Sequence, residues 1–321
     1  MGAAFDAASS SGFEGLSSVS WTHTPVGTPN CVFVTVSWTG YPTNPSTVSG
    51  VTYGGQSMTS IGSATSNGFQ GAGKEGKVET FRLTNPPSGA QTVAVTFSGG
   101  SYGRAGATTW TGADTTTPNG SVTSANNGGQ STAPTVTLAS TTSGRIAYGA
   151  FVSDYSTSSI VAGLTQAWAG TSGPGAYGGG AEYASSTGSS MAMGWTVNSA
   201  ANYWAAMAFE IIPTSSPSNS VAPSCSPASG GPVTSFTFSS GTWTGSPTGW
   251  SWEYQSASGG SWTQFSTLQN PTVTGSTFGA GTWNTRLTAT NAGGSATANG
   301  TQITVAAAQS ASRSLTLTGV G

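Results

Sequence analysis

Charge is what this chain has least of. Of 321 residues, seven are Lys or Arg and nine are Asp or Glu, for a formal net charge of −2. So few cations leave no basic stripe to neutralise phosphates, so no nucleic-acid partner is expected. There are two cysteines, Cys31 and Cys225, and one histidine, His23. They cannot make a standard four-ligand zinc site, and neither a metal nor another cofactor is expected. The cysteines are expected to stay unpaired, leaving stability to packing. No apolar run approaches the ~20 residues that a membrane-crossing helix needs, so no membrane partner is expected. The opening segment Met1-Gly2-Ala3-Ala4-Phe5-Asp6 reads neither as a basic-plus-apolar export signal nor as a myristoylation site, since position 6 is Asp. A β-rich composition without an export signal fits a virus particle released by lysis.

What the chain has instead is glycine, 48 of them, and aromatic residues, 10 % of the total with 11 Trp. Disordered chains lack aromatics and carry high net charge, so this one is expected to fold. Its length suits two domains. Low net charge also favours association between copies, useful in an assembly subunit.

Period-2 alternation is the dominant pattern. In 31–38, Val32, Val34, Val36 and Trp38 share one face and Phe33, Thr35 and Ser37 the other, the signature of a strand. Val51-Thr52-Tyr53, Gly54-Gly55 and Gln56-Ser57-Met58 read as a tight hairpin, because glycine tolerates the positive φ of primed turns. Further strands are expected at 78–83, 92–97, 105–110, 135–138, 145–151, 165–169, 191–197 and 203–212. Turns are expected at Asn85-Pro86-Pro87-Ser88-Gly89, Ser98-Gly99-Gly100 and Thr141-Thr142-Ser143-Gly144. Many short strands with Gly- and Pro-rich turns imply an all-β protein with a jelly-roll-like β-sandwich over 1–213. A linker follows at 214–220, then a second β-domain at 221–305 with strands at 234–238, 249–254, 272–274, 282–290 and 301–305. In the tail, 306–321, Ser314-Leu315-Thr316-Leu317-Thr318 alternates and would suit edge pairing with another sheet.

Two resemblances add to this reading. Gly245-Ser246-Pro247-Thr248-Gly249-Trp250-Ser251-Trp252, Leu268-Gln269-Asn270-Pro271-Thr272-Val273-Thr274, Ala280-Gly281-Thr282-Trp283 and Leu287-Thr288-Ala289-Thr290-Asn291-Ala292-Gly293-Gly294-Ser295 make the second domain resemble a PKD-type immunoglobulin-like domain. That resemblance implies a C-terminal Ig-like sandwich acting as a spacer or adhesion module. It departs from the family after Trp252, where Glu253-Tyr254-Gln255-Ser256 replaces the usual Asp/Gly-rich turn. The first domain resembles a β-sandwich type of tailed-phage virion and bacterial surface proteins. The matching segments are Phe5-Asp6-Ala7-Ala8-Ser9, Trp21-Thr22-His23-Thr24, 50–59, 83–89 and 112–118.

Chemistry is sparse. Glycoside hydrolysis needs two carboxylates across a cleft, and Asp114, Asp154, Glu182 and Glu210 are the candidates, none of them in a motif. Asp114 is expected to cap a turn and Glu210 to face solvent. His23 has no nucleophile elbow near it and is expected at the surface or in a turn. Cys31 is expected to be a small buried or interfacial residue. The run Gly173-Pro174-Gly175-Ala176-Tyr177-Gly178-Gly179-Gly180 lacks the Lys-Ser/Thr pair of a phosphate loop and reads as a surface loop. Sugar-binding modules stack aromatic rings on pyranose faces; Trp38, Trp110, Trp168, Trp195, Trp204 and Trp262 are weighed for that role against core packing. Trp168, Tyr177, Tyr254 and Trp262 are the residues singled out for glycan or partner contact.

The leading expectation is a non-enzymatic structural virion protein of a tailed phage: a capsid decoration, tail or fibre subunit. Its partners would be copies of itself, other virion proteins and host-surface glycans. The alternative is a secreted, extracellular carbohydrate-binding or adhesion protein, or the accessory part of a polysaccharide-degrading enzyme. A standalone hydrolase is the third reading.

Overall fold

The computed structural model describes residues 2–39, 46–69, 74–126, 131–155, 157–172, 177–198 and 203–309. The tail segment 314–318 and positions 173–176 lie outside them. The chain forms two compact units, Met1–Thr214 and Ser215–Gly321. Both are all-β; among the described residues the one helical element is a 3-10 turn at Gly275–Thr277. The second unit takes in β-structure from the stretch read as linker, because Ser218–Val221 is a strand.

The first unit contains β1 (Ala4–His23), β2 (Cys31–Thr39), β3 (Val48–Tyr53), β4 (Gln56–Ser57), β5 (Thr59–Phe69), β6 (Lys74–Thr84), β7 (Gln91–Thr111) and β8 (Thr123–Asn126). There follow β9 (Thr135–Leu138), β10 (Ile146–Ser153), β11 (Thr157–Ile160), β12 (Thr165–Ser172), β13 (Tyr177–Ser185), β14 (Met191–Val197) and β15 (Trp204–Ile211). The expected β3–β4 hairpin is present, with Gly54 and Gly55 at φ +56° and +78°. A seven-stranded sheet runs β4-β3-β7-β2-β6-β5, with β1 paired along the other side of β7. The 98–100 segment is not a turn between two strands; it lies inside β7. There the β1–β7 ribbon folds back on itself, so Ser9 hydrogen-bonds His23 of the same strand. Bulges in β1 between Phe13 and Ser18 accommodate the bend.

Three hydrophobic cores stack through this unit. The folded ribbon encloses Phe13, Val32, Val34, Val36, Trp38, Val51, Tyr53, Val93 and Val95. The other face of the same sheet meets a five-stranded sheet, β12-β13-β10-β15-β8. Phe33, Trp110, Tyr148, Trp168, Met207 and Phe209 fill that space. Beyond it, a three-stranded sheet β11-β14-β9 covers Ala147, Phe151, Met193, Trp195 and Ala206. The all-β sandwich expected from the sequence is therefore built here in four layers. Strands β2 and β15 are buried along their whole length, as strands between two cores must be.

Glycines set the layer spacing. A Cβ on Gly106 would sit 2.2 Å from the Trp168 ring, and one on Gly179 would sit 2.7 Å from Ser37. The Tyr177-Gly178-Gly179-Gly180 run is thus not a surface loop. It is the buried start of β13, where missing side chains let the sheets approach.

The second unit contains β16 (Ser218–Val221), β17 (Ser224–Ser226), β18 (Ser229–Gly230), β19 (Ser235–Ser239), β20 (Thr242–Thr244) and β21 (Gly249–Ser256). It continues with β22 (Thr263–Ser266), β23 (Thr272–Thr274), β24 (Gly281–Asn291), β25 (Gly294–Asn299) and β26 (Ile303–Val305). A three-stranded sheet β17-β19-β23 faces a six-stranded sheet β18-β26-β24-β21-β22, with β25 also on β24. Between them lie Phe236, Phe238, Trp252, Phe278, Leu287 and Ile303. Cys31 and Cys225 are both free and buried.

Candidate functional site

Three of the four aromatics singled out for contact turn inward. Trp168 is 4 % exposed and Tyr177 1 %, both inside the core between the first unit's two larger sheets. Neither presents a ring face to a ligand, since β12 and β13 aim them at the neighbouring layer. Tyr254 packs edge-on against Phe278 at 5.1 Å and Trp283 at 5.3 Å, on the core side of its sheet. Trp38, Trp110, Trp195 and Trp204 are buried as well. Of the six tryptophans weighed, Trp262 alone is half-exposed; Tyr254 is also partly exposed.

The carboxylates are engaged in the fold. Asp114 Oδ1 accepts the backbone N–H groups of Thr116 and Thr117 at 2.8 and 2.7 Å, the turn role expected of it. Glu210 does not face solvent freely: it is 9 % exposed, accepts the Thr142 N–H at 2.7 Å and pairs with Arg145 at 3.2 Å. Asp154 is buried. Glu182 is 1 % exposed and accepts the Trp195 Nε1–H at 2.5 Å. Burial pushes its carboxyl up to about 8, against the weaker opposing pull of that hydrogen bond.

His23 is not a surface residue; it is fully buried. Trp21 Nε1–H donates to Ser9 Oγ at 2.9 Å, and Ser9 Oγ lies 2.8 Å from His23 Nδ1. On the other side His23 Nε2 is 3.1 Å from Thr109 Oγ1, which donates to Asp6 Oδ2 at 2.8 Å. Because the Thr109 proton goes to Asp6, His23 donates from Nε2 and accepts the Ser9 hydroxyl at Nδ1. The imidazole is neutral, its pKa lowered by burial more than nearby Asp6 raises it. This line joins the two arms of the folded ribbon.

The polar face of the second unit is different in kind. Along β24, Thr285, Leu287 and Ala289 point into the core, so Asn284, Arg286, Thr288 and Thr290 point out. Residues on neighbouring strands meet them in register. Thr288 and Thr297 hydroxyls lie 2.8 Å apart, and Gln302 Nε2 donates to Asn284 Oδ1 at 2.9 Å. Arg286 Nε donates to Glu253 Oε2 at 2.7 Å, so the two charges neutralise each other. The Arg286 guanidinium sits 4.2 Å from the Trp262 ring centroid, a cation–π contact that holds the indole in place.

Trp262 also borders a cavity of about 260 Å³, with Asn284, Thr285, Asn299 and Gly300 as its other lining. The cavity forms where β24 exchanges one neighbour for another. Strand β25 pairs with Arg286–Asn291 and β26 with Gly281–Trp283. Gly300 spans the break, its N–H donating to the Thr285 carbonyl at 2.8 Å; a Cβ there would lie 2.7 Å from Thr285 Oγ1. The sequence pointed to Trp262 but missed Arg286, Glu253, Asn284, Asn299 and Gln302. The alternation of polar and apolar residues from 284 to 289 carried part of that signal; the cross-strand register did not show.

No protein-family profile matches this chain, and no curated protein does. A solved structure described as a biofilm-associated protein BSP domain aligns at 11 % identity over 96 % of this chain and 67 % of that one, with a TM-score of 0.18. A likeness that low carries no argument about fold or function.

Proposed function

We propose that this chain is a non-catalytic structural protein that works by touching other molecules, with its second unit as the adhesive part. The observation that carries this reading is the six-stranded sheet of that unit. Its outward side is a Thr/Ser/Asn/Gln surface whose facing charges, Glu253 and Arg286, are paired with each other, and Trp262 stands half-exposed upon it. Such a face offers hydrogen bonds without long-range charge, which suits contact with uncharged polar polymers. The carboxylates Asp114, Glu182, Glu210 and Glu253 each accept hydrogen bonds from their own chain, which favours structural over catalytic roles.

The setting we favour is a tailed-phage virion, as a decoration, tail or fibre subunit. Support comes from the charge-poor composition and from the resemblance of the first unit's segments to virion sandwiches. The PKD-like pattern of the second unit suits a projecting module. Incubating the purified chain with bacterial cells and with immobilised polysaccharides tests the reading. Retention without release of reducing ends is expected. Reducing-end release that disappears in Glu182→Gln or Glu210→Gln would refute it.

A further inference from the structure

We infer that the cavity beside Trp262 is a subsite for one neutral pyranose ring of a polysaccharide. The inference rests on the contact role proposed above and adds the chemistry of the ligand. A volume of about 260 Å³ lies just below the range of pockets for drug-sized molecules, which suits a single ring. Trp262 belongs to the lining; its indole is an apolar plate with one face under Arg286, which leaves the other for a pyranose C–H face. Arg286 fixes that plate from its own strand, so little side-chain freedom remains to be lost on binding.

The remaining lining supplies what hydroxyl groups need. Asn284 gives its carbonyl oxygen to Gln302, which leaves its Nδ2–H donors without a partner among the described residues. The Asn299 side-chain amide, exposed at the end of β25, has none there either and offers both donors and an acceptor. An amide matches a hydroxyl pair, which both donates and accepts. Gly300 keeps the floor open, because a side chain there would run into Thr285.

The charge pattern selects against an acidic sugar. Arg286 is committed to Glu253 at 2.7 Å, and a uronate placed here would meet the Glu253 carboxylate as well as the guanidinium. Two other cavities among the described residues lack this combination. The groove of about 640 Å³ beside Ile146, Leu164 and Met191 has no charged or amide side chain in its lining. The one beside Arg145 and Glu210 has its charges closed on each other.

The test is calorimetric titration of the full chain with hexasaccharides of glucose, galactose, mannose and N-acetylglucosamine, and with oligogalacturonate as the acidic counterpart. At least one neutral oligosaccharide is expected to bind. Trp262→Ala and Asn299→Ala should each weaken it by about tenfold or more, with Trp262→Phe retaining part of the affinity. Unchanged melting temperatures would show that the variants fold. Three results overturn the inference: no neutral oligosaccharide binds, Trp262→Ala binds as the parent does, or the acidic oligomer is preferred. Cell retention by Trp262→Ala equal to that of the parent would discard the subsite and keep the contact role. Failure of the parent chain itself to be retained would discard both.

Discussion

Replacing Glu182 with glutamine is expected to raise the stability of the first unit by about 1 kcal/mol at about pH 5 and by up to about 5 kcal/mol at about pH 9. Glu182 stands on β13 with its Oε2 on the Trp195 indole and its other oxygen over Gly149, where a Cβ would come within 2.2 Å of it. No cation is among the causes that act on its carboxyl, and burial raises the pKa from 4.5 to about 8. The sign follows from proton counting. Between those two values the folded chain holds a proton that the unfolded chain has released, so stability falls as pH rises. The neutral acid's contribution is complete below pH 4.5 and is lost as pH climbs through about 8. The whole gap corresponds to about 5 kcal/mol, of which about 1 is already lost at pH 5. Glutamine keeps an acceptor for Trp195 and cannot ionise. Urea unfolding of both proteins, followed by tryptophan fluorescence across that pH range, gives the two curves. A stability difference that stays constant with pH would refute the reasoning.

Two further predictions concern the first unit. His23 is the chain's one histidine, so its imidazole C–H resonances are unambiguous by NMR. With its pKa lowered by burial, their titration midpoint should lie below 6.5. The linked stability is present above 6.5 and is lost as pH drops through the folded value; a titration midpoint at or above 6.5 would contradict this. Gly106→Ala places a methyl 2.2 Å from the Trp168 ring, in a layer with no room to yield. It should cost about 1–3 kcal/mol, seen as a lowered melting temperature, and a neutral result would mean that the sheets are not spaced by that contact.

How much of this was readable in advance depended on whether the pattern was local. The alternation in 31–38 announced a strand, and Val32, Val34 and Val36 do share one core while Phe33 lies in another. The sequence could not say that both faces would be covered. Strand β1 was missed because Ser-rich Ala4–His23 has no clean apolar period; its pairing with β7 holds it. Glycine misled most. At 177–180 it reads as loop chemistry, yet there it thins a buried strand so that Phe151 and Trp168 can approach. Trp168 and Tyr177 were singled out for contact as aromatics, and the layer that buries them is not visible in the sequence. The Trp262 site was half legible: the ring stood out, but Arg286 and Asn299 come to it through the pairing of β24 with β25, which no local pattern encodes.

The scarcity of charge has different causes in the two units. In the first, the centre of the layered stack has no solvent face: β2, β10 and β15 are buried almost throughout. A charge there would have to be paired or neutralised, and burial shifts Glu182 towards its neutral form. Layering alone therefore removes most positions where Lys or Glu could stand. The second unit is a two-layer sandwich, and among the described residues one side of its six-stranded sheet faces away from the core. At Thr282, Asn284, Thr288, Thr290, Thr297 and Thr304 burial imposes no such limit, and charged residues would serve solubility better there. Threonine suits strands, and the pairs Thr288–Thr297, Thr282–Thr304 and Asn284–Gln302 support the sheet, so the fold accounts for part of this pattern. Under the contact role proposed above, this uncharged face around a fixed indole would meet a hydroxyl-rich partner with hydrogen bonds and without charge.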